Sequence, residues 1–495
     1  MDIRIDRSRA TPLHLQIAHR IRELILTGAI PDGARLPATR KLAETLGVNR
    51  STVVQAYETL WAEGLTQSHV GRGTAVRGPS APGGVSPGPP SWNMLFAPTV
   101  ESVEHEVRDL SRLFEREDVV SFAAGFPAPD LYPVEQVTRI VCDVLAGENR
   151  TLLQWCSVEG YPPLRRTLAE RAGGPSAGSV LVLSGSTQGL FLLARALISP
   201  GDFVVVEAPT YLGALQAFRA AGARLVGIPV AAGGMDLEML ETVLSRTQPK
   251  FIYTLPTFQN PTGASMSLEG RRGLLSLAYR YRIPVVEDDP YSLLRYDGEA
   301  VPTLRELDTQ GYVIYLSTFS KILIPGLRVG WLAAPKPVIE QLSAAKHLTD
   351  LFTNSVAQAV VDRFCRDRLL EGHLERVRPE YRIRRDAMAR ALKRHCPSLA
   401  FSVPEGGFFV WCRLPAGIGA RDLLREAVGE GVSFLTGEIF YPDGRGQDRI
   451  RLNFTSQSVE AIERGARSLG RALRRARRGR ARRSERGEAR TQPMV

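Results

Sequence analysis

The sequence predicts an α/β protein with a small helical domain at its N-terminus and a larger domain built on a mostly parallel sheet. Three observations carry this prediction. The chain has 495 residues, which is too many for one hydrophobic core. Residues 78–94 are rich in proline and glycine, as expected of a linker. From about residue 95, short apolar runs alternate with helical patterns, which is typical of a parallel sheet with helices on both faces.

Composition and charge argue against several classes of protein. The chain is 44% hydrophobic and 23% charged and has no apolar run of membrane-spanning length. Its first residues are charged and mixed, so we predict no signal peptide. Five scattered cysteines and seven histidines show no metal-ligand spacing, so we predict a cytoplasmic protein with no metal site. Of the net charge of +11, ten arginines and two glutamates between residues 471 and 490 supply +8. We predict that residues 474–495 form a basic disordered tail, which either adds phosphate affinity or is dispensable.

Residues 11–76 predict a compact unit of three helices followed by a hairpin. Gly47 and Val48 form a tight turn, and Asn49 is suited to cap the third helix. Two helices joined by such a turn make a helix-turn-helix pattern. Gly71-Arg72-Gly73 joins two strand-like pieces and puts an arginine at the tip of a wing, where it suits a DNA groove or backbone. The three helices are expected at residues 12–26, 38–46 and 50–63.

This N-terminal stretch resembles the winged-helix domain of the GntR family of bacterial repressors. The resemblance rests on Gly33-Ala-Arg-Leu-Pro-Ala-Thr-Arg-Lys-Leu-Ala, Leu46-Gly-Val-Asn-Arg-Ser-Thr-Val and Gly71-Arg-Gly-Thr, in this order. It implies that residues 1–77 bind double-stranded operator DNA. The candidate DNA contacts that it implies are Arg35, Arg40, Arg50, Ser51, Thr52 and Arg72.

The larger domain contains one stretch, residues 317–331, that combines a lysine with phosphate-binding groups. Lys321 follows the hydroxyls of Thr318 and Ser320, and Arg328 comes after a Pro-Gly turn signal. Hydroxyls and a guanidinium suit a phosphate. Lysine forms Schiff bases with carbonyls, and pyridoxal phosphate has both an aldehyde and a phosphate. Taken alone, the stretch is equally compatible with a charged surface loop.

Further polar residues follow predicted strands, where ligand sites gather in parallel sheets. Ser186 and Thr187 open a helix and make an anion cradle. Asp288 ends an apolar strand, where a bare charge is costly unless a cation such as a protonated pyridine nitrogen faces it. Asn260 is able to hydrogen-bond a cofactor hydroxyl, and Tyr211 to cover the pocket with an aromatic ring. Each signal is weak by itself.

Together these residues match the needs of pyridoxal phosphate. The coenzyme requires a lysine for its aldehyde, an acid for its ring nitrogen, a polar group for its ring oxygen, a stacking ring and a phosphate cup. The sequence offers for these roles, in the same order, Lys321, Asp288, Asn260 with Tyr291, Tyr211, and the group Ser186, Thr187, Thr318, Ser320 and Arg328.

The joint pattern resembles the class I/II aminotransferases of fold type I. Ser121-Phe-Ala-Ala-Gly-Phe-Pro-Ala-Pro and Pro404-Glu-Gly-Gly-Phe-Phe-Val-Trp match the family's flanking motifs. The resemblance implies a pyridoxal-phosphate-dependent transferase fold over residues 95–473, with a smaller α+β C-terminal subdomain from about residue 350. It also implies that Arg451 clamps a substrate carboxylate. Trp155 stands where family members often have a tyrosine that reaches the neighbouring subunit's cofactor phosphate.

A GntR-like winged helix, a linker and an aminotransferase-like domain, in this order, resemble the MocR/GabR subfamily of transcription regulators. The resemblance implies a head-to-tail homodimer in the bacterial cytoplasm, associated with the nucleoid when bound to DNA. An amino acid or amine effector would form an external aldimine in place of Lys321 and so change operator affinity. One alternative is a catalytically active aminotransferase, which would transfer an amino group from an amino acid to a 2-oxo acid and carry an accessory DNA-binding domain. A structural DNA-binding dimer with an inactive domain fits poorly, because every cofactor contact except Trp155 follows the family pattern.

Overall fold

The computed structural model describes Ile3 and residues 5–6, 12–69, 73–77, 118–147, 150–173, 176–231 and 233–488. The chain divides into two compact units, Met1–Phe96 and Ala97–Val495. The expected linker and the wing-tip residue Arg72 lie outside the described residues. No described helix combines the length and hydropathy needed to cross a bilayer.

The first unit consists of three helices and a two-stranded hairpin. The helices are α1 (Leu13–Leu26), α2 (Thr39–Leu46) and α3 (Arg50–Ala62), and the antiparallel strands are β1 (Thr66–His69) and β2 (Gly73–Val76). Ile17 and Ile21 of α1 pack with Val53 and Leu60 of α3 in a fully buried core. Gly47 ends α2 in the left-handed conformation, with φ of 60°, which allows the sharp turn into α3.

The start of α3 differs in one detail from the expectation. Asn49 occupies the N-cap position with an extended backbone, but its side chain makes no capping hydrogen bond. The predicted turn is therefore made by Gly47, without the side-chain cap.

The second unit is organised around an eight-stranded sheet with the order β4-β11-β10-β9-β8-β5-β6-β7. All neighbouring pairs from β10 to β6 are parallel, while β11 and β7 run antiparallel to their neighbours. The strands are β4 (Val180–Leu183), β5 (Phe203–Ala208), β6 (Arg224–Ala231), β7 (Gly234–Met235), β8 (Ile252–Thr254), β9 (Val285–Asp288), β10 (Val313–Thr318) and β11 (Gly330–Ala333).

Strands β6 and β7 were not expected from the sequence. In β6, Gly227 and Pro229 interrupt the apolar pattern, and of its eight residues four are half buried, three are exposed and only one is buried. The strand lies near the edge of the sheet, where β-propensity and burial are weaker signals.

Helices cover both faces of the sheet and bury its apolar side chains. Leu181, Leu183 and Val206 pack on one face, and Val205, Ile252 and Val285 on the other. The helices are α4 (Val134–Ala146), α5 (Pro162–Arg171), α6 (Ser186–Leu197), α7 (Leu212–Ala220), α8 (Leu237–Leu244), α9 (Leu268–Tyr281), α10 (Leu304–Leu307), α11 (Lys336–His347) and α12 (Ser355–Arg366).

A smaller subdomain contains a four-stranded sheet of order β12-β13-β16-β15 and a separate parallel pair, β3 with β14. Because β3 comes from the N-terminal side of the second unit, the subdomain is not contiguous in sequence. Its strands are β3 (Val120–Ser121), β12 (Ala400–Phe401), β13 (Phe409–Arg413), β14 (Val432–Ser433), β15 (Leu435–Thr436) and β16 (Arg449–Asn453). Its helices are α13 (Leu369–His395), α14 (Ala420–Gly429) and α15 (Val459–Glu488).

Helix α15 changes the expectation for the C-terminal tail. Residues 474–488, expected to be disordered, continue the helix, and residues 489–495 lie outside the described residues. Leu473 is buried, and Arg471 and Arg475 both pair with Glu430. These contacts hold the helix at the point where the arginine-rich run begins.

A fully buried arginine holds the loops around the carboxyl edge of the sheet. Arg271 of α9 donates to the carbonyl of Pro256 at 2.9 Å and to the hydroxyl of Thr257 at 2.8 Å. Burial lowers the pKa of Arg271 and raises the pKa of Glu287, 3.8 Å away, to about 8. The carbonyl network, rather than a simple ion pair, therefore accounts for the placement of this guanidinium. It donates further to the carbonyls of Met266 and Pro302.

Arg271→Met should lower the free energy of unfolding by about 3 kcal/mol or more, because four acceptors, most of them buried, lose their donor. Urea unfolding followed by circular dichroism measures the change. The matched control is Arg272→Met, which changes the exposed neighbour on the same helix and should shift stability by less than about 0.5 kcal/mol. Equal effects of the two substitutions would contradict the role given to the buried network.

Candidate functional site

A cavity of about 210 Å³ opens at the carboxyl edge of the central sheet. It brings together seven residues that the sequence singled out, from six separate segments of the chain. These are Ser186, Tyr211, Asn260, Asp288, Tyr291, Lys321 and Arg451. The remaining lining is mainly apolar and comes from Gly125, Phe126, Leu212, Leu255, Pro290, Phe409, Leu435 and Phe440.

Lys321 follows β10 and points its amine into the cavity. Its Nζ donates to the carbonyl of Gly125 at 2.7 Å and lies 5.3 Å from the centre of the Phe126 ring. Burial, reinforced by Arg451 and Arg328 and opposed by Asp288, lowers the pKa of Lys321 to about 8. A useful fraction of this amine is therefore neutral, and hence nucleophilic, near neutral pH. The contacts with Gly125 and Phe126 were not foreseen.

Asp288 ends β9 with one carboxylate oxygen unpartnered. Tyr253 Oη donates to Oδ2 at 2.6 Å, whereas Oδ1 is buried and has no hydrogen-bond partner among the described residues. Burial raises the pKa of Asp288 to about 7, although the bond from Tyr253 opposes this. A buried oxygen without a donor is costly, and a donor or cation in the cavity would relieve that cost. Sequence reasoning missed Tyr253, which lies inside an apolar strand.

Arg451 of β16 is buried, and its guanidinium lies against two aromatic rings. Its guanidinium carbon lies 4.1 Å from the ring centre of Phe409 and 5.0 Å from that of Phe440. Nη1 donates to Asn260 Oδ1 at 2.9 Å and Nη2 to the carbonyl of Ala123 at 2.6 Å, while Nε has no described partner. Since the Asn260 oxygen is engaged, its amide N–H₂ is the group available to a ligand oxygen. Arg451 retains donors that suit a carboxylate.

The start of α6 forms an anion cradle. Ser186 and Thr187 occupy the first turn, preceded by Gly185 with φ of 90°. A Cβ atom at Gly185 would meet the guanidinium of Arg328, and the positive φ also favours glycine at this position. The helix dipole and free N–H groups at this end favour a phosphate.

Two hydroxyls and the guanidinium complete the cradle. Arg328 Nη1 donates to Ser320 Oγ at 3.4 Å, and Thr318 Oγ1 donates to Ser320 Oγ at 3.1 Å. Arg328 takes the left-handed conformation, with φ of 53°, shortly before β11. Thr187, Thr318, Ser320 and Arg328 thus lie beside the cavity without lining it.

The two tyrosines of the predicted site have different surroundings. Tyr211 directly precedes α7 and lines the cavity beside Leu212. Tyr291 is buried and packs against the ring of Phe408 at 5.3 Å. Burial raises the pKa of both phenols, so both stay protonated and able to donate.

These observations fit pyridoxal phosphate. The unpartnered Asp288 oxygen matches a protonated ring nitrogen, the Gly185 cradle matches a phosphate, and Lys321 presents an amine to the same cavity. Among the described residues, no group of three histidine, cysteine, aspartate or glutamate side chains is placed to hold a metal ion.

Most of the predicted DNA contacts are accessible in the first unit. Arg35, Arg40, Arg50 and Ser51 are exposed, and Thr52 is half buried in the first turn of α3. The backbone of Arg35 also forms a β-bridge with Ala75 of β2, so it is tied to the hairpin. For Arg72, the prediction lies outside the described residues.

Trp155 lies on the surface of the second unit, with 63% of its area exposed. Its ring centre is 5.3 Å from that of Phe352. Leu348 lies in the same connection between α11 and α12 as Phe352, and it is 86% exposed. The residue that departs from the family pattern therefore belongs to an exposed apolar surface.

Comparisons with known proteins bear on both units. Residues 117–469 match the family "Aminotransferase class I and II", and residues 13–76 match "Bacterial regulatory proteins, gntR family". Aromatic-amino-acid aminotransferase 1 of Thermococcus litoralis is 42% identical over 74% of this chain and 91% of its own length. The probable rhizopine catabolism regulatory protein MocR of Rhizobium meliloti is 32% identical over 87% of each chain.

A solved structure supports the fold of the second unit. The crystal structure of LysN, an α-aminoadipate aminotransferase from Thermus thermophilus, superposes with a TM-score of 0.74 at 38% identity. The match covers 78% of this chain and 99% of that one.

The lowered pKa of Lys321 makes a prediction about its reactivity. Below pH 8 the amine is mostly protonated, so the rate at which the apo-protein attaches pyridoxal phosphate should rise about tenfold per pH unit and level off above about 8. Stopped-flow absorbance measures this rate, with Lys321→Ala as the control that should attach none. A profile that rises to the ordinary lysine range near 10.5 would contradict the buried environment described for this amine.

Proposed function

Since the chain belongs to the class I and II aminotransferase family, and within it to the MocR-type regulators that carry a GntR domain, we propose that it is a pyridoxal-phosphate-dependent transcription regulator whose DNA binding responds to an amino compound. The observation that carries the proposal is the combination in one chain of a helix-turn-helix unit and the cavity around Lys321. Neither element alone would connect an amine to DNA.

Pyridoxal phosphate, when bound, supplies an aldehyde that primary amines attack and a ring nitrogen that draws electrons once protonated. Lys321 provides the resident amine, and Asp288 holds a proton at the ring nitrogen through its free oxygen. The α6 cradle and Arg328 hold the phosphate. Arg451 binds the carboxylate of an amino-acid effector.

An effector carboxylate also has a route to a conformational change. Arg451 belongs to the smaller subdomain, yet it donates to Asn260, which follows β8 of the central sheet. A carboxylate that binds the remaining donors of this guanidinium pulls on a group that also holds Asn260 and Ala123. The ligand thereby favours one arrangement of the two subdomains over another, which is what a change in operator affinity requires.

We further propose that the protein acts as a head-to-tail homodimer. Leu153, Trp155, Leu348 and Leu351 are exposed, and the Trp155–Phe352 contact joins their two segments into one surface. Contiguous apolar exposure of this kind is typical of an interface, and the position of Trp155 suits a second copy of the chain. Sedimentation that gave only the 54.4 kDa monomer would contradict this proposal.

A catalytically active aminotransferase is the second candidate function. Its specific support is the cavity, which holds the lysine, the aspartate and the arginine that transfer of an amino group requires. Turnover of an amino donor with a 2-oxo acid, measured by product formation, would favour it. Such turnover without any amine-dependent change in DNA binding would show that the protein is an aminotransferase and not an amine sensor.

Lys321→Ala should keep the fold but lose both the absorbance band of the lysine-bound coenzyme and the effect of amines on DNA binding. The reason is that exchange between Lys321 and the effector is the proposed sensing step. Absorbance and fluorescence anisotropy on a DNA duplex measure the two properties. The control Lys336→Ala changes an exposed lysine and should preserve both. An amine response retained by Lys321→Ala would refute sensing through this residue.

Arg40→Gln and Arg50→Gln should each weaken binding to a random-sequence duplex, because each removes an exposed cation expected to contact phosphate. The slope of log affinity against log salt should fall by about 0.9 for each lost contact. Anisotropy titrations at several salt concentrations measure the slope. The matched control is Arg20→Gln on α1, whose guanidinium already pairs with Glu23 at 2.6 Å. The assigned DNA face would be wrong if all three variants behaved alike.

A further inference from the structure

A buried ion pair contacts the segment that directly precedes α6, and neither of its residues lines the cavity. Lys346, in the last turn of α11, has a side chain with no exposed area. Its Nζ donates to Asp350 Oδ1 at 2.6 Å. Asp350 belongs to the connection between α11 and α12, and 26% of its side chain is exposed. Burying an ammonium group is costly unless a partner compensates its charge, so the position of Lys346 depends on Asp350.

The second oxygen of this carboxylate reaches the anion cradle. Ser184 Oγ donates to Asp350 Oδ2 at 2.9 Å. The carbonyl of Ser184 accepts from Arg328 Nη2 at 3.2 Å, and its N–H donates to Gln188 Oε1 at 2.8 Å. Ser184 is therefore fixed through its side chain, its carbonyl and its N–H, directly before Gly185.

The residue after Ser184 leaves the direction of the backbone open, so the contacts around it decide how α6 begins. Gly185 has the freedom of a residue without Cβ and adopts φ of 90°. Gly330 of β11 passes so close that a Cβ there would lie 2.6 Å from Gly185 C and Ser186 N. The first N–H groups of α6 bind an anion only if they converge on one point. A residue that fixes Ser184 therefore helps to set the direction of the first N–H groups of α6.

We propose that Lys346 and Asp350 are positioning residues of the phosphate cradle, and that they act through the hydroxyl of Ser184. Neither is assigned a contact with the coenzyme. The proposal deepens the proposed function and rests on it only in requiring a phosphate at the start of α6.

The charges explain why a pair is needed. A lone carboxylate beside the cradle would repel the phosphate, and Lys346 cancels that charge. Although burial opposes it, hydrogen bonds from Lys346, Gln188 and Ser184 lower the pKa of Asp350, so this group stays ionised and keeps accepting from Ser184. The pair can therefore orient Ser184 without adding net charge near the anion.

The test compares two ligands that differ only in the phosphate, namely pyridoxal phosphate and pyridoxal. Three full-length variants are used: Ser184→Ala, the charge-balanced Lys346→Met with Asp350→Asn, and the combination of all three substitutions. The Kd for pyridoxal phosphate should rise about tenfold in each, as expected for one lost hydrogen bond, with no further loss in the combination. The Kd for pyridoxal should change less than about twofold.

A second ion pair on the same helix supplies the control. Lys336 and Glu340 are also four residues apart on α11, but both are exposed. Replacing them by Met and Gln should leave both affinities unchanged. Thermal unfolding monitors folding, and if the paired substitution does not fold, Ser184→Ala decides the test because it leaves the ion pair intact.

Three results would overturn the proposal. Equal losses for pyridoxal and pyridoxal phosphate would indicate a general structural role. Losses that add in the combined variant would show that the pair does not act through Ser184, and unchanged affinities would show no role. If the wild-type protein itself bound both ligands equally, the phosphate cradle of the proposed function would fail, which is a separate and recognisable outcome.

Discussion

A carboxylate buried with one oxygen unpartnered is the constraint on which the site depends. Asp288 is fixed by its strand and by Tyr253, and nothing described in the protein satisfies its other oxygen. Such a group costs about 1–3 kcal/mol unless a ligand completes it. Lys321, in the same cavity, has its pKa lowered to about 8 while that of Asp288 is raised to about 7. Both groups therefore change charge easily, and a protonated ring nitrogen would favour the ionised carboxylate.

Arg451 is a second buried charged group in the cavity, and its proposed partner is the effector rather than the coenzyme. Its planar guanidinium is held by aromatic rings, and its hydrogen bonds run to Asn260 and to the backbone of Ala123. Ala123 closely follows the segment that β3 contributes to the smaller subdomain. One side chain thus serves as a candidate carboxylate site and as a tie between subdomains. A ligand that binds it changes packing as well as occupancy, and only such differential binding can shift a conformational equilibrium.

The sequence was sufficient to locate candidates such as Lys321, Asp288 and Asn260, because polar residues after apolar strands converge at one edge of a parallel sheet. Their chemical roles stay predictions. Partners distant in sequence had no local signal: Tyr253 meets Asp288 from a neighbouring strand, and Asp350 meets Ser184 from 166 residues away. The pairing of β3 with β14 also joins segments that are far apart in sequence, so it too had no local signal. The arginine content of the C-terminal segment suggested disorder. In the structure this segment continues helix α15, which is held by the ion pairs with Glu430 and by the burial of Leu473.

The difference between a sensor and a catalyst lies in what Lys321 does after it is displaced. Sensing requires only that an effector amine take its place and that Arg451 hold the carboxylate long enough for one conformation to dominate. Moving a two-state equilibrium from 1:99 to 99:1 takes about 5.5 kcal/mol of differential binding. Catalysis requires in addition that the freed amine carry protons, for which a pKa of about 8 is well suited. The same buried environment is therefore compatible with either function, and the lifetime of the ligand on the coenzyme would decide between them.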